Sequence, residues 1–425
     1  MNIIPLHQSA RLSRNSILPP IWKAKTALTP VVQSAKSIFK SPREADFSLK
    51  TISQSQIPTK MRQFGSSHQF PSQRLFSRLR CGGTYGVESD SITHFGCEFL
   101  TVLATFWRLL QVSASKPIPL VSRINMPLLI TGGTGFVGRR FIEGSDESFI
   151  AAVSRNPVKA KKTLGSTVSE VISWNPSASP FEAPDVHFDK VVNLMGEPIA
   201  EGRWSAAKKK RIHDSRVLGT RNLVDGLLAT GKPPSVFVSA SAVGIYGDTG
   251  EVVVDESHSV DDIFAASVCQ AWEEEANRLT RHGTRVVRLR IGIVLGDSGG
   301  AIEKMLPIFK LGLGGKLGSG NQWMAWVHVD DVIGMINWAL TNPSVTGPVN
   351  VTAPNPVRNA EFTRTLAQAV NRPAFLPAPK FALRLVFGEF ANSLFFSQRI
   401  LPKVALEQGY EFKYPNLAEA IADVV

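Results

Sequence analysis

Short continuous apolar runs at residues 128–131, 149–154, 190–194, 235–239 and 286–291 alternate with amphipathic stretches, among them residues 205–229, which Gly231 closes. An apolar run bounded by turn residues reads as a strand buried on both faces. Apolar positions spaced three and four apart read as a helix packed on one side. The alternation predicts an α/β protein built on a doubly wound parallel sheet of Rossmann type, with ligands held outside the carboxyl ends of the strands. A smaller α+β subdomain is expected to follow. The chain thus divides into an N-terminal extension at 1–125, a Rossmann-type domain at 126–347 and a C-terminal segment at 348–425.

The first strand runs directly into Gly132, Gly133, Gly135 and Gly138, and then into a helix. A helix N-terminus offers free N–H groups and a positive dipole end, which suits a pyrophosphate. Gly133, Gly135 and Gly138 fit the Gly-x-Gly-x-x-Gly spacing, in which glycines serve the tight turn, the close approach of backbone to phosphate and the packing of helix on strand. The strand before and the helix after supply the context this motif requires. Gly132, Thr134, Gly135, Phe136, Val137 and Gly138 are therefore assigned to a dinucleotide. The second strand ends in Ser154-Arg155-Asn156-Pro157, where an NAD site would carry an acid for the ribose hydroxyls. Without that acid, and with Arg155 available to pair with a 2′-phosphate, NADP(H) is the expected cofactor.

Charge adds one distinction. Residues 1–125 carry 16 Lys and Arg against 5 Asp and Glu, whereas the remainder carries 31 against 30, so the net +12 sits almost wholly in the extension. A basic tail on a neutral body does not make a nucleic-acid groove, and no nucleic-acid partner is expected. The extension lacks core-forming periodicity. It reads either as a transit peptide to plastid or mitochondrion, or as an over-extended start ahead of Met126 on a cytoplasmic protein. The apolar run at 99–112 is broken by Arg108 and is shorter than the roughly 20 residues a membrane span needs, so no span is expected. Three cysteines without paired spacing exclude a disulfide framework and a zinc site.

The glycine turn, the Asn193-Leu194-Met195-Gly196 run after a strand, Ser239-Ala240-Ser241 ahead of Tyr246-Gly247, and Trp326-Val327-His328-Val329-Asp330-Asp331 resemble an extended short-chain dehydrogenase/reductase of the epimerase/dehydratase branch. The motifs at 314–323, 352–357, 400–403 and 409–412 resemble the "epimerase family protein" group, some of whose plastid relatives carry a cell-division-inhibitor label. That resemblance implies NADP(H) binding. Leu194, Gly196, Arg216 and Ser239 join the expected cofactor set, with an anionic substrate or a helix-to-sheet tie as alternatives for Arg216 and a fallback to Ser241 as the alternative for Ser239. A tyrosine with a lysine four residues on carries proton transfer in the wider superfamily, and none of the four tyrosines here has that lysine. Ser241, as the strand-end serine, and Tyr246 are left as catalytic candidates. Trp323, Trp326 and His328 are candidate substrate residues, with buried core as the alternative for the tryptophans and loop packing for the histidine. Asp330 and Asp331 are expected to anchor their loop through backbone N–H groups, and Lys208 to Arg211 to form a solvated helix face. The function expected is an oxidoreductase or epimerase with an unnamed small-molecule substrate and a homodimer as candidate assembly. The alternative is a non-catalytic NADPH-binding regulator acting through a protein partner.

Overall fold

The computed structural model describes residues 127–425; the extension, the apolar run at 99–112, Cys81 and Cys97 lie outside the described residues. A seven-stranded parallel sheet forms from β1 (Leu128–Thr131), β2 (Ile150–Ser154), β3 (Glu170–Ser173), β4 (Lys190–Asn193), β5 (Val236–Ala242), β7 (Arg285–Ile291) and β11 (Gly347–Val351). Its spatial order is β11-β7-β5-β4-β1-β2-β3. Strand order reverses at β1, between β2 and β4, and such a switch point opens the crevice into which ligands fit.

Alternate residues of each strand feed two cores, as a pleat requires. Ile130, Val192, Val238 and Leu289 pack with Phe141 of α1 (Phe136–Glu143) and with Val332, Met335 and Ile336 of the Val329–Thr341 helix. On the other side Leu129, Val191 and Phe237 pack with Leu223, Val224 and Leu279. The remaining helices of the Rossmann part are α2 (Pro157–Leu164), α3 (Ala206–His213), α4 (Gly219–Ala229), α5 (Phe264–Asn277) and α6 (Gly300–Lys310), with Val329–Thr341 as α7.

The amphipathic stretch at 205–229 is not one regular helix. Five residues, Asp214–Leu218, form a π turn between α3 and α4. Apolar spacing runs on through the turn, so periodicity alone does not reveal it. The sheet also reaches further than the boundary drawn at 347/348, because β11 begins at Gly347 and pairs with β7 through Val351.

The C-terminal segment adds α8 (Asn359–Ala369), α9 (Lys380–Phe387), α10 (Phe390–Ser393), α11 (Lys403–Glu407) and α12 (Leu417–Val424). Two two-stranded ribbons join it to the rest, β6 (Val253–Val254) with β13 (Arg399–Ile400) and β9 (Trp323–Met324) with β12 (Val357–Arg358), while β8 (Ile293–Gly296) pairs with β10 (Trp326–His328) inside the Rossmann part. Its apolar residues share a core with the Rossmann part, where Phe362, Leu417 and Ile421 meet Leu295, Ile302 and Trp326. Among the described residues no helix is long and apolar enough to cross a membrane, and no group of His, Cys, Asp and Glu could hold a metal ion.

Candidate active site

The glycine turn between β1 and α1 is shaped by close backbone approach. Gly132 has φ +72°, and a Cβ there would stand 2.4 Å from the Leu194 carbonyl oxygen. A Cβ on Gly138 would stand 2.4 Å from the Gly132 oxygen and 2.7 Å from the Gly133 Cα. The tight turn thus falls on Gly132 rather than Gly133, while Gly138 lets the helix seat on the strand. Gly135, in extended conformation, caps α1 without a side chain. Thr134 and Gly135 are exposed, so the first N–H groups of α1, which have no intrahelical acceptor, open onto the crevice. Val137 packs against the core. The half-buried Phe136 ring lies against Gly296 and Gly299, where any Cβ would come within 2.4 Å of it.

Arg155 is exposed at the tip of β2. The next residues start a helix: Asn156 accepts the Lys159 N–H at 3.0 Å, and Pro157 occupies the first turn of α2. Among the described residues no side chain pairs with the Arg155 guanidinium.

Behind the strand ends lies a buried polar seam. Asn193 accepts from the Thr131 hydroxyl at 2.7 Å and donates to Thr220 at 2.9 Å and to Ser239 at 3.1 Å. Ser239 therefore ties β4 to β5. Ser241 and Tyr246 are likewise held by buried partners. The buried Ser241 hydroxyl donates to Glu273 of α5 at 2.7 Å. Arg290 grips the same carboxylate side-on, Nε to Oε1 at 2.9 Å and Nη2 to Oε2 at 3.0 Å, and its Nη1 donates to the Tyr246 oxygen at 2.8 Å. Tyr246 in turn donates to Asn350 at 2.7 Å. Burial pushes the Tyr246 phenol up to about 12, against the pull of Arg290. Burial also opposes the charge on Arg290, but Glu273 outweighs it and its pKa is raised. Neither hydroxyl faces the crevice as a proton donor, because each is consumed by a network that joins α5, β5, β7 and β11.

The α5 positions that pack beneath this strand end are Ala265 and Cys269, four residues apart. A Cβ on Gly244 would lie 3.8 Å from the Ala265 Cβ, and Cys269 packs with Val243 and Ile245. Burial pushes the Cys269 thiol up to about 11. Neither side chain can relay a proton near neutral pH.

Cationic chemistry comes instead from the π turn. Arg216 donates from Nη1 to the carbonyls of Glu197 at 3.1 Å and Ile212 at 3.3 Å, and its guanidinium lies over the Trp272 ring, 5.3 Å from the centroid. A Cβ on the exposed Gly196 would stand 3.0 Å from that guanidinium. Lys208 departs from the solvated face expected of it: it is buried and pairs with Glu197 at 2.9 Å. That bond, with help from Arg211, holds the Glu197 carboxyl below the usual range.

The substrate candidates disperse. Trp326 is fully buried, its indole N–H donating to the Asn355 carbonyl, so it belongs to the core. Trp323 is flanked by Arg358 and Arg399, at 4.1 and 4.7 Å from its ring centroid, and donates to Glu251. His328 is also fully buried. Its Nδ1 accepts the Asp330 N–H at 3.1 Å, and its Nε2 faces Asp423 of α12 at 3.2 Å. Asp331 accepts the backbone N–H groups of Lys413 and Tyr414, whereas Asp330 pairs with the side chains of Lys413 and Arg140. The junction of β10 and α7 at 326–331 thus clamps the C-terminal segment. Glu273, Arg290 and Asn350 escape sequence reasoning because no local pattern marks partners 104 residues apart, the separation of Tyr246 and Asn350.

Residues 128–352 match the NAD dependent epimerase/dehydratase family, and residues 378–424 match a domain of unknown function, DUF1731. The chain is similar to "Epimerase family protein SDR39U1 homolog, chloroplastic" of Arabidopsis thaliana, 40% identical over 312 residues that cover 71% of this chain and 87% of that one. It is also similar to the epimerase family protein Mb2239 of Mycobacterium bovis, 37% identical over 302 residues, 70% of this chain and 97% of that one. Among solved structures, human epimerase family protein SDR39U1 (isoform 2) with NADPH is 34% identical, with a TM-score of 0.63 over 70% of this chain and 99% of that chain. A Thermotoga maritima UDP-glucose 4-epimerase, 18% identical with a TM-score of 0.56 over 70% of this chain and 97% of that chain, shares the fold.

Proposed function

Because the chain belongs to the NAD dependent epimerase/dehydratase family, we propose that it binds NADP(H) and acts as an oxidoreductase or epimerase on a small molecule. The observation that carries this reading is the crevice at the switch point, where Gly132 and Gly138 admit no side chain and the N-terminus of α1 lies open. These residues fit a dinucleotide: the helix terminus takes the pyrophosphate, and the unpaired Arg155 takes a 2′-phosphate. The human relative solved with NADPH supports the same cofactor. When bound, the cofactor supplies or accepts a hydride.

The protein's own part is to orient the substrate and to stabilise charge on its oxygen. Tyr246 is not set to pass a proton, since it is buried and bonded to Arg290 and Asn350. Arg216 stands at the crevice as a fixed positive charge that does not titrate near neutrality, so the proton that balances hydride addition to a carbonyl is drawn from water. The test is incubation with NADPH and a library of carbonyl compounds while nicotinamide absorbance is followed. Tight NADPH binding with substrate-dependent loss of absorbance is expected. A protein that binds neither NADPH nor NADH overturns the reading.

A further inference from the structure

Arg216 is a half-buried guanidinium with no carboxylate partner. Among the described residues its acceptors are two main-chain carbonyls, both served by Nη1. The nearby Glu197 carboxylate is engaged by Lys208 and Arg211. That leaves Nε and Nη2, the two donors on one edge of the planar group, without a protein acceptor, and this edge matches the two oxygens of a carboxylate. A second orphan lies in the same contact. Trp272, over whose ring Arg216 rests, is buried, and its indole N–H has no acceptor. A buried donor left unpaired is costly.

Local structure preserves this arrangement. The π turn at Asp214–Leu218 swings Arg216 out of helical register, and π turns recur at functional sites. Gly196, exposed and bare, leaves the guanidinium uncovered, since a Cβ there would press on it. Beneath the neighbouring strand end Ala265 and Cys269 bring no charge, so Arg216 supplies a cation that α5 does not.

We propose that Arg216 is the receptor for an anionic group of the substrate, a carboxylate held edge-on by Nε and Nη2 with the Trp272 indole N–H beside it. The substrate class is then a carbonyl or hydroxy compound that also bears a carboxylate. The proposal rests on the dinucleotide reading above, and the experiment keeps the two apart. The full chain, labelled with ¹⁵N at tryptophan and loaded with NADP⁺, is titrated with acetate, with inorganic phosphate and with neutral acetamide. The Trp272 indole resonance, assigned by its loss in Trp272→Phe, is followed.

A saturable shift with acetate and none with acetamide is expected. It should weaken at least tenfold in Arg216→Gln and recover only in part in Arg216→Lys, which restores charge without the fork. Gly196→Ala, which displaces the guanidinium without removing it, should also weaken the response, so the proposal stays testable if an Arg216 variant does not fold. No acetate response in the wild type, an unchanged response in Arg216→Gln, or a response to phosphate tighter than to acetate overturns the carboxylate assignment. NADPH binding, read by nicotinamide fluorescence on the same samples, separates the readings. Loss of NADPH binding in parallel with the acetate response would place Arg216 on the cofactor and overturn this inference alone. Absence of NADPH binding from the wild type overturns the proposed function itself.

Discussion

At the scale of single residues, two hydroxyls that look catalytic by position are held in buried hydrogen-bond networks, and the consequence is measurable. Tyr246→Phe leaves Asn350 Oδ1 without a donor and Arg290 Nη1 with only the Glu256 carbonyl, at 3.2 Å. A buried group so deprived costs about 1–3 kcal/mol. The midpoint of urea unfolding should fall accordingly, while NADPH affinity of the folded protein stays unchanged. Full stability with lost turnover would instead restore Tyr246 as a proton donor. Arg155 is the opposite case, exposed and unpaired, so its removal leaves the fold alone. Arg155→Ala should weaken NADPH binding by roughly 1.5–3 kcal/mol, the worth of a hydrogen bond to a charged group, and leave NADH binding nearly as it was. Calorimetry giving equal losses for both would show that Arg155 does not read the 2′-phosphate.

At the scale of elements, legibility follows range. The turn from β1 into α1 is written in consecutive residues, and the parallel strands are written as apolar runs, because burial on both faces leaves no room for polar alternation. β3 is harder to read, as its Glu170 and Ser173 are exposed at the sheet edge. The π turn is harder still, since Ile212 and Val217 keep an apolar stripe running across it into the same core. The seam through Thr131, Asn193, Thr220 and Ser239 and the network around Glu273 needed the tertiary structure. Both join residues far apart in sequence, and Ser241 looks the same whether it faces substrate or Glu273. The readable turn makes a sharp prediction within one helix. In Gly138→Ala the new Cβ meets backbone atoms that cannot yield, so about 1–3 kcal/mol of overpacking is expected together with weaker NADPH binding. Gly144→Ala, at the other end of α1, brings its Cβ no nearer than 3.4 Å to the Arg140 carbonyl and should change neither. Matching thermal melts for the two variants would contradict the packing account.

At the scale of the whole molecule, the C-terminal segment is held by the junction of β10 and α7, and that grip is expected to depend on pH. His328 receives the Asp330 N–H on Nδ1, which places its proton on Nε2; that nitrogen lies 3.2 Å from an Asp423 oxygen of α12 without a hydrogen bond, and the ring lies tilted against Tyr414 with centroids 3.9 Å apart. Burial pushes the imidazole below its ordinary 6.5. The unfolded chain therefore takes up the proton first as pH falls. Stability from this group is complete above 6.5 and is lost as pH drops toward the folded value, with a slope of at most about 1.4 kcal/mol per pH unit for one proton. The neighbouring Asp331, whose pKa burial raises, acts in the opposite sense, so total stability is the wrong readout. The difference between wild type and His328→Gln isolates the histidine. The variant should lose part of the acid-side slope in its melting temperature, and amide exchange in α12 should accelerate less on acidification than in the wild type. Superimposable pH profiles for the two proteins would show that His328 holds the loop by packing alone, without proton linkage.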